Sequence, residues 1–171
     1  MAFELDQAVA ALRRTPEVLD ALLGRIDDAW AWHRPGPQEW SAAEVVGHFI
    51  HGERTDWIPR TRIILEHGAA RPFEPFDRDG WAAAATGRTA TELLDTFRSL
   101  RMANIETLRS WNLTDADLGR VGTHPAFGPV TLGQLLATWT THDHVHLAQL
   151  SQALAAAWTQ DVGPWRAYLW E

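Results

Sequence analysis

The sequence predicts an all-α fold, a bundle of four helices joined by long connections. Two observations carry this expectation. Four long amphipathic segments stand out along the chain, and three of them open on the same device: a hydroxyl residue followed three places later by Glu or Gln. Ser41 pairs in this way with Glu44, Thr89 with Glu92, and Thr131 with Gln134. In each pair the hydroxyl can satisfy an orphan backbone N–H at the helix start while the longer side chain reaches back to the cap. At 171 residues the chain is expected to form one domain, 1–171, with enough length to bury a substantial core.

The first segment runs from about Phe3 to Asp28, with Leu5, Val9, Leu12, Leu19, Leu22, Leu23 and Ile26 near helical spacing. Pro16 interrupts it, and Thr15-Pro16-Glu17 reads as a cap and first turn, so two helical pieces are expected. After the loop Arg34-Pro35-Gly36-Pro37, the second helix runs from Ser41 to about His67, kinked or briefly broken near Pro59 and ended by Gly68. The third spans Thr89 to Trp111 and buries Leu93, Leu94, Phe97, Leu100, Ile105 and Leu108. The fourth spans Thr131 to about Trp158. The connections Ala69 to Arg88 and Asn112 to Val130 are rich in Gly, Pro and Asp, and connections of this length often carry function or short local elements. The aromatic tail, Pro164-Trp165-Arg166-Ala167-Tyr168-Leu169-Trp170, is expected to pack back on the bundle.

Composition narrows the chemistry. Apolar residues make up 46% of the chain and charged residues 22%, which fits a folded globular domain rather than a disordered one. A formal charge of −7 and the lack of a basic run argue against nucleic acid as the main partner. No apolar run is long enough to span a bilayer, and the first residues show no basic region followed by an apolar stretch. The expectation is a cytoplasmic protein that engages no membrane. All fifteen basic residues are Arg, which excludes lysine nucleophiles and Schiff bases. The cysteine count is zero, so disulfides, Cys-ligated zinc, iron–sulfur clusters and thiol nucleophiles are excluded as well.

What remains is histidine, carboxylate, hydroxyl and arginine chemistry, and the histidines are patterned. On the fourth helix, alternating steps of four and three give Leu135, Trp139, His142, His146, Gln149 and Ala153. This is the inward seam of a bundle helix, with two imidazoles where Leu or Ile is expected. Residues four apart project from one face, so His142 and His146 are placed to hold a single ion. His48, in Gly47-His48-Phe49-Ile50, is a further inward candidate on the second helix, although spacing alone does not identify a third ligand. Hydrogen-bonded core histidines are the alternative reading of all three. Neutral imidazole suits zinc, nickel, copper or iron. His51 reads as a neighbour of the site, an alternative ligand or a rim residue. His144 is expected to face outward, while His33, His67 and His124 lie at helix ends or in loops and are set aside. Glu53, Asp143 and His51 are acid–base candidates, with Glu53 also read as the partner of an arginine such as Arg60.

The stretch Trp40-Ser41-Ala42-Ala43-Glu44-Val45-Val46-Gly47-His48-Phe49-Ile50-His51-Gly52-Glu53, followed by His142-Asp143-x-x-His146-x-x-Gln149, resembles the DinB-like (DinB/YfiT) superfamily of four-helix-bundle metalloenzymes. The segment Gly163 to Leu169 is similar to the family's C-terminal segment, and the likeness covers nearly the whole chain. The resemblance implies a bundle of the DinB/YfiT type with a three-histidine site at His48, His142 and His146. It implies one divalent ion there, zinc or nickel, with iron or manganese as further options, and water or substrate in the remaining positions. Related proteins include S-transferases that use low-molecular-weight thiols such as bacillithiol and mycothiol, and a maleylpyruvate isomerase. Homodimers are common among them, so a homodimer is implied here. His51 departs from the pattern, since many relatives carry another residue at that place.

The expectation for function is therefore a metal-dependent transferase or hydrolase acting on a small molecule. Any thiol must come from a cosubstrate, because the chain has none of its own. The rival expectation is a non-catalytic, stress-related bundle that binds a metal or ligand.

Overall fold

The computed structural model describes residues 3–169, so Trp170 of the tail lies outside the described residues. The first segment forms two pieces, α1 (Leu5–Leu12) and α2 (Thr15–Leu23), followed by one turn of helix, α3 (Asp28–Ala31). Next come α4 (Ala42–Thr55) and α5 (Trp57–His67), which meet at Asp56. The short α6 (Trp81–Ala85) precedes α7 (Ala90–Ser110) and another single turn, α8 (Asp115–Leu118). The strands β1 (Val121–His124) and β2 (Gly128–Thr131) lead into α9 (Leu132–Ala156), and α10 (Arg166–Leu169) ends the described chain. The four bundle members are thus α1/α2, α4/α5, α7 and α9.

All three expected capping boxes form. The backbone N–H groups of Ser41, Thr89 and Thr131 donate to Glu44, Glu92 and Gln134 at 2.8, 2.8 and 2.9 Å. The hydroxyls return the favour to the third helical N–H in each case. Thr15 is different. It lies inside α2 and caps nothing; its hydroxyl donates instead to Asp143 on α9 at 2.5 Å. The second helix breaks near Pro59, as expected, with the break itself at Asp56 (φ −110°, ψ −74°); Pro59 sits in the first turn of α5, where a missing N–H costs nothing. Gly68 ends α5 with φ +56°, a conformation that favours glycine.

Two connections depart from simple loops. The second contains an antiparallel hairpin, β1–β2, paired from Val121↔Thr131 to His124↔Gly128. Its strands are too short and too rich in Gly and Pro to show a two-residue alternation, which is why the all-α expectation passed over them. The first connection runs beside it, with Phe73 N–H donating to Thr123 C=O at 2.9 Å. The tail also differs from expectation. Trp165, Tyr168 and Leu169 are 69%, 85% and 59% exposed, since a four-residue helix has no apolar stripe broad enough to seat on the bundle.

The core is split into two apolar clusters by a charged layer. One cluster holds Leu19, Ile50, Phe97 and Leu150; the other holds Leu12, Trp57, Ile105 and Trp139. Between them on α7 lies Arg101, whose side chain is wholly buried. Its guanidinium donates to Glu53 Oε1 at 2.8 and 3.0 Å and to Asp143 at 2.5 and 2.9 Å. A fifth bond reaches Leu12 C=O at 3.0 Å. Asn104 and Trp139 donate to the two Glu53 oxygens at 2.9 and 3.0 Å. Burial pushes the Glu53 carboxyl up, and Arg101 with Asn104 works against that push. The layer thereby links all four bundle members. Glu53 is thus the partner of an arginine, as expected, but of Arg101 rather than Arg60; Arg60 pairs with Asp56, one turn back on its own helix, with Nε 2.6 Å from Oδ1.

Removing one member of such a buried set leaves charge without a partner. Arg101→Met is expected to lower unfolding free energy by about 3–5 kcal/mol in urea denaturation. The triple variant Glu53→Gln/Arg101→Met/Asp143→Asn, with no charge left in the layer, should lose clearly less.

Candidate metal centre

His48 comes from α4, and His142 and His146 come from successive turns of α9. The backbone of α4 can approach its neighbour closely at this level because residue 47 is glycine: a Cβ there would lie 2.6 Å from Ala85 Cβ and 3.1 Å from Trp81 C=O. Close seating of α4 on α6 thus fixes the turn that carries His48. The two α9 rings project inward beside Asp143, whose carboxylate is held by Arg101, so the helix cannot rotate about its axis without breaking the charged layer.

The three rings meet. Their centroids stand 4.9 Å apart for His48–His142, 4.5 Å for His48–His146 and 4.3 Å for His142–His146. One ring nitrogen from each lies within 4.8 Å of the others, and Nε2 of His48 is 2.9 Å from Nε2 of His142. Nitrogens that share a tetrahedral ion, each about 2.0–2.1 Å from it, stand about 3.4 Å apart. That value lies between the observed 2.9 Å and the 4.8 Å within which all three nitrogens fall. The group is one that could hold a metal ion.

Aromatic side chains enclose the cluster. Trp40 lies 5.1 Å from the His48 ring, Trp57 5.1 Å from His142, and Phe49 5.8 and 5.9 Å from His142 and His146. Burial holds the rings neutral. It lowers His48 from the ordinary 6.5 to about 4, helped by His146 and His51, and lowers His142 to about 2, helped by His146 and His48. His146 is lowered too, with burial opposed by Gln149 and Asp143. Gln149 Oε1 lies 2.7 Å from His146 Nδ1; an amide oxygen only accepts, so Nδ1 carries the proton and Nε2 is left as a lone pair. Nδ1 of His48 and Nδ1 of His142 are buried without a hydrogen-bond partner. Such rings carry a desolvation cost that a coordinate bond at the opposite nitrogen offsets.

The cluster opens into a cavity of about 520 Å³. Its walls include Trp57, Phe73, Phe76, Phe127 and Leu135, with Asp56, Arg60 and Arg78 as charged members. His124, set aside in the sequence, also lines it. This ring accepts from the N–H groups of Ala126 and Phe127 through Nδ1 and stacks on Phe127 at 4.4 Å. The hairpin puts it there, and no local pattern signals that placement. The acid–base candidates fare differently. Glu53 and Asp143 are committed to Arg101, and His51 packs on Phe76 at 4.9 Å without lining the cavity. Asp56 is the carboxylate of the cavity wall, and burial raises it from 3.8 to about 6 against the opposing pull of Arg60. His144 is exposed, as expected.

The comparisons with known proteins agree with the fold. The family model described as DinB superfamily matches residues 11–150. No curated protein matches the chain. Among solved structures, YfiT from Bacillus subtilis, described as a probable metal-dependent hydrolase with an unusual four-helix bundle topology, superposes with a TM-score of 0.75 at 21% identity. The match covers 93% of this chain and 87% of that one.

The lowered histidines make metal-free stability depend on pH with a definite sign. Their folded pKa values lie below the unfolded value of 6.5, so the unfolded chain takes up protons first as pH falls. Their neutral burial is fully tolerated above pH 6.5 and is penalised progressively as pH falls, down through 4 for His48 and on to about 2 for His142. Asp56, raised instead of lowered, acts in the opposite sense between 3.8 and 6 in every variant that keeps it. His142→Gln should therefore show a shallower loss of stability than wild type over pH 6.5 to 4, read from melting temperatures of chelator-treated protein.

Proposed function

The chain belongs to the DinB superfamily, and on that premise we propose that it is a metal-dependent enzyme, a hydrolase or a thiol S-transferase, with His48, His142 and His146 as the metal ligands. The observation that carries this reading is the convergence of three neutral imidazoles at the end of an aromatic cavity. YfiT, described as a probable metal-dependent hydrolase, supports the hydrolase arm. Zinc and nickel suit an all-imidazole donor set best.

A divalent ion held there supplies Lewis acidity, which makes water or a thiol nucleophilic at neutral pH. The chain's own residues do the rest. Burial keeps the ligand rings deprotonated, so they need release no proton to bind. Gln149 fixes the tautomer of His146. Trp40, Trp57 and Phe76 exclude bulk water from the cavity, which strengthens every polar interaction inside it. Asp56 is the wall carboxylate able to take up or return a proton, with its raised pKa suiting that exchange near neutral pH. A thiol, where one is used, comes from a low-molecular-weight cosubstrate, since the chain has no cysteine.

Elemental analysis of purified protein should find one zinc or nickel ion per chain. His48→Ala, His142→Ala and His146→Ala should each lose it while remaining helical by circular dichroism. Wild type loaded with metal should then turn over either an ester panel or monochlorobimane with a small thiol. Bound metal with no turnover of any pair would instead identify a non-catalytic binding protein.

A further inference from the structure

The cavity has a second polar pole, away from the imidazoles in sequence and built at the α4–α5 break. Arg60 is 7% exposed, yet it lines the cavity. It is clamped on three sides. Nε lies 2.6 Å from Asp56 Oδ1, Nη2 donates to Glu74 C=O at 3.2 Å, and the guanidinium carbon sits 5.2 Å from the centre of the Phe73 ring. Nη1 has no acceptor among the described residues. A guanidinium fixed in this way presents its remaining N–H groups at a set angle and loses little freedom when a ligand arrives.

The charge balance of the cavity runs against that of the chain. The whole protein carries −7, but the cavity wall has Arg60 and Arg78 against Asp56 alone, one positive charge in excess before any ion is bound. The remaining walls are flat and apolar, with Trp57, Phe73, Phe76 and Phe127 among them. The volume, about 520 Å³, is that of a site for a small organic molecule. From these features we infer that the cavity takes a small organic anion with an aromatic or otherwise flat apolar body, its charged end held by Arg60, with Asp56 positioning the arginine and Arg78 adding charge at the exposed side. The inference rests on the proposed reading of the cavity as the substrate site of the metal centre, and it names the class of molecule that site accepts.

Calorimetric titration of the full chain with 2-naphthoate and with its neutral isostere 2-naphthamide tests it, on protein as purified and after chelator treatment. The carboxylate should bind about tenfold or more tightly than the amide, as expected of a site built to bond that group. The preference should survive chelation, since Arg60 and not the ion holds the charge. Arg60→Lys, which keeps a cation beside Asp56 but loses the planar fork, should weaken naphthoate several-fold and leave naphthamide unchanged. The double variant Asp56→Asn/Arg60→Gln removes both buried charges together and should abolish the preference. Equal affinity for the two ligands overturns the inference, and so does a preference unaffected by both variants or one that vanishes on chelation. Metal content is measured separately. Protein that prefers the anion but contains no ion refutes the metal reading and leaves the anion site standing.

Discussion

The buried guanidinium of Arg101 is the constraint on which the bundle depends. A cation wholly removed from water is tolerable only when its donors are met, and five bonds to Glu53, Asp143 and Leu12 meet them. Burial opposes the charge, and the two carboxylates outweigh it, so the arginine stays ionised. The geometry of a planar fork allows little sliding. Apolar clusters on either side supply most of the favourable burial, but hydrophobic contact is not directional. The charged layer sets the register that those contacts leave open.

That register reaches the imidazoles through covalent neighbours. Asp143 follows His142, and Glu53 lies on the same helix as His48, one and a half turns further along. Fixing the two carboxylates on one guanidinium therefore fixes the rotation of α4 and of α9 relative to each other. The histidines inherit their approach from that arrangement. Two further contacts refine it: Gly47 against Ala85 on one side and Gln149 against His146 on the other. A cluster assembled in this way needs no flexible loop to bring its members together.

What was legible in the sequence was what is local. Capping boxes act over three residues and the His142–His146 pair over four, and both read directly from spacing. The signal of Arg101 in the sequence is its place among apolar residues. It sits in the apolar seam Leu94, Phe97, Arg101, Ile105, Leu108, and a charge in a seam demands partners from other helices. Of those partners, Glu53 reads in the sequence as an acid–base candidate or as the partner of an arginine, and Asp143 as an acid–base candidate; both hold Arg101 and, through it, the fold. Arg60, an arginine expected beside Glu53, lies instead beside Asp56, because the break there turns α5 and supplies a nearer carboxylate. The cavity walls were illegible for a plainer reason. Phe73, Phe76, His124 and Phe127 come from connections whose course depends on long-range pairing, such as Phe73 with Thr123.

The division of labour between helices and connections has an evolutionary consequence. Ligand histidines and the charged layer sit on the bundle, whereas Phe73, Phe76 and Phe127 of the aromatic lining, with His124 stacked on Phe127, belong to the two long excursions. Phe127, at the hairpin tip, is 78% exposed and contributes little to burial within its own chain. Lineages can therefore remodel the hairpin tip by insertion, deletion or exchange at small thermodynamic cost, whereas Phe73 is held in the core. The same scaffold is free to diversify in what it accommodates while the machinery beneath stays unchanged.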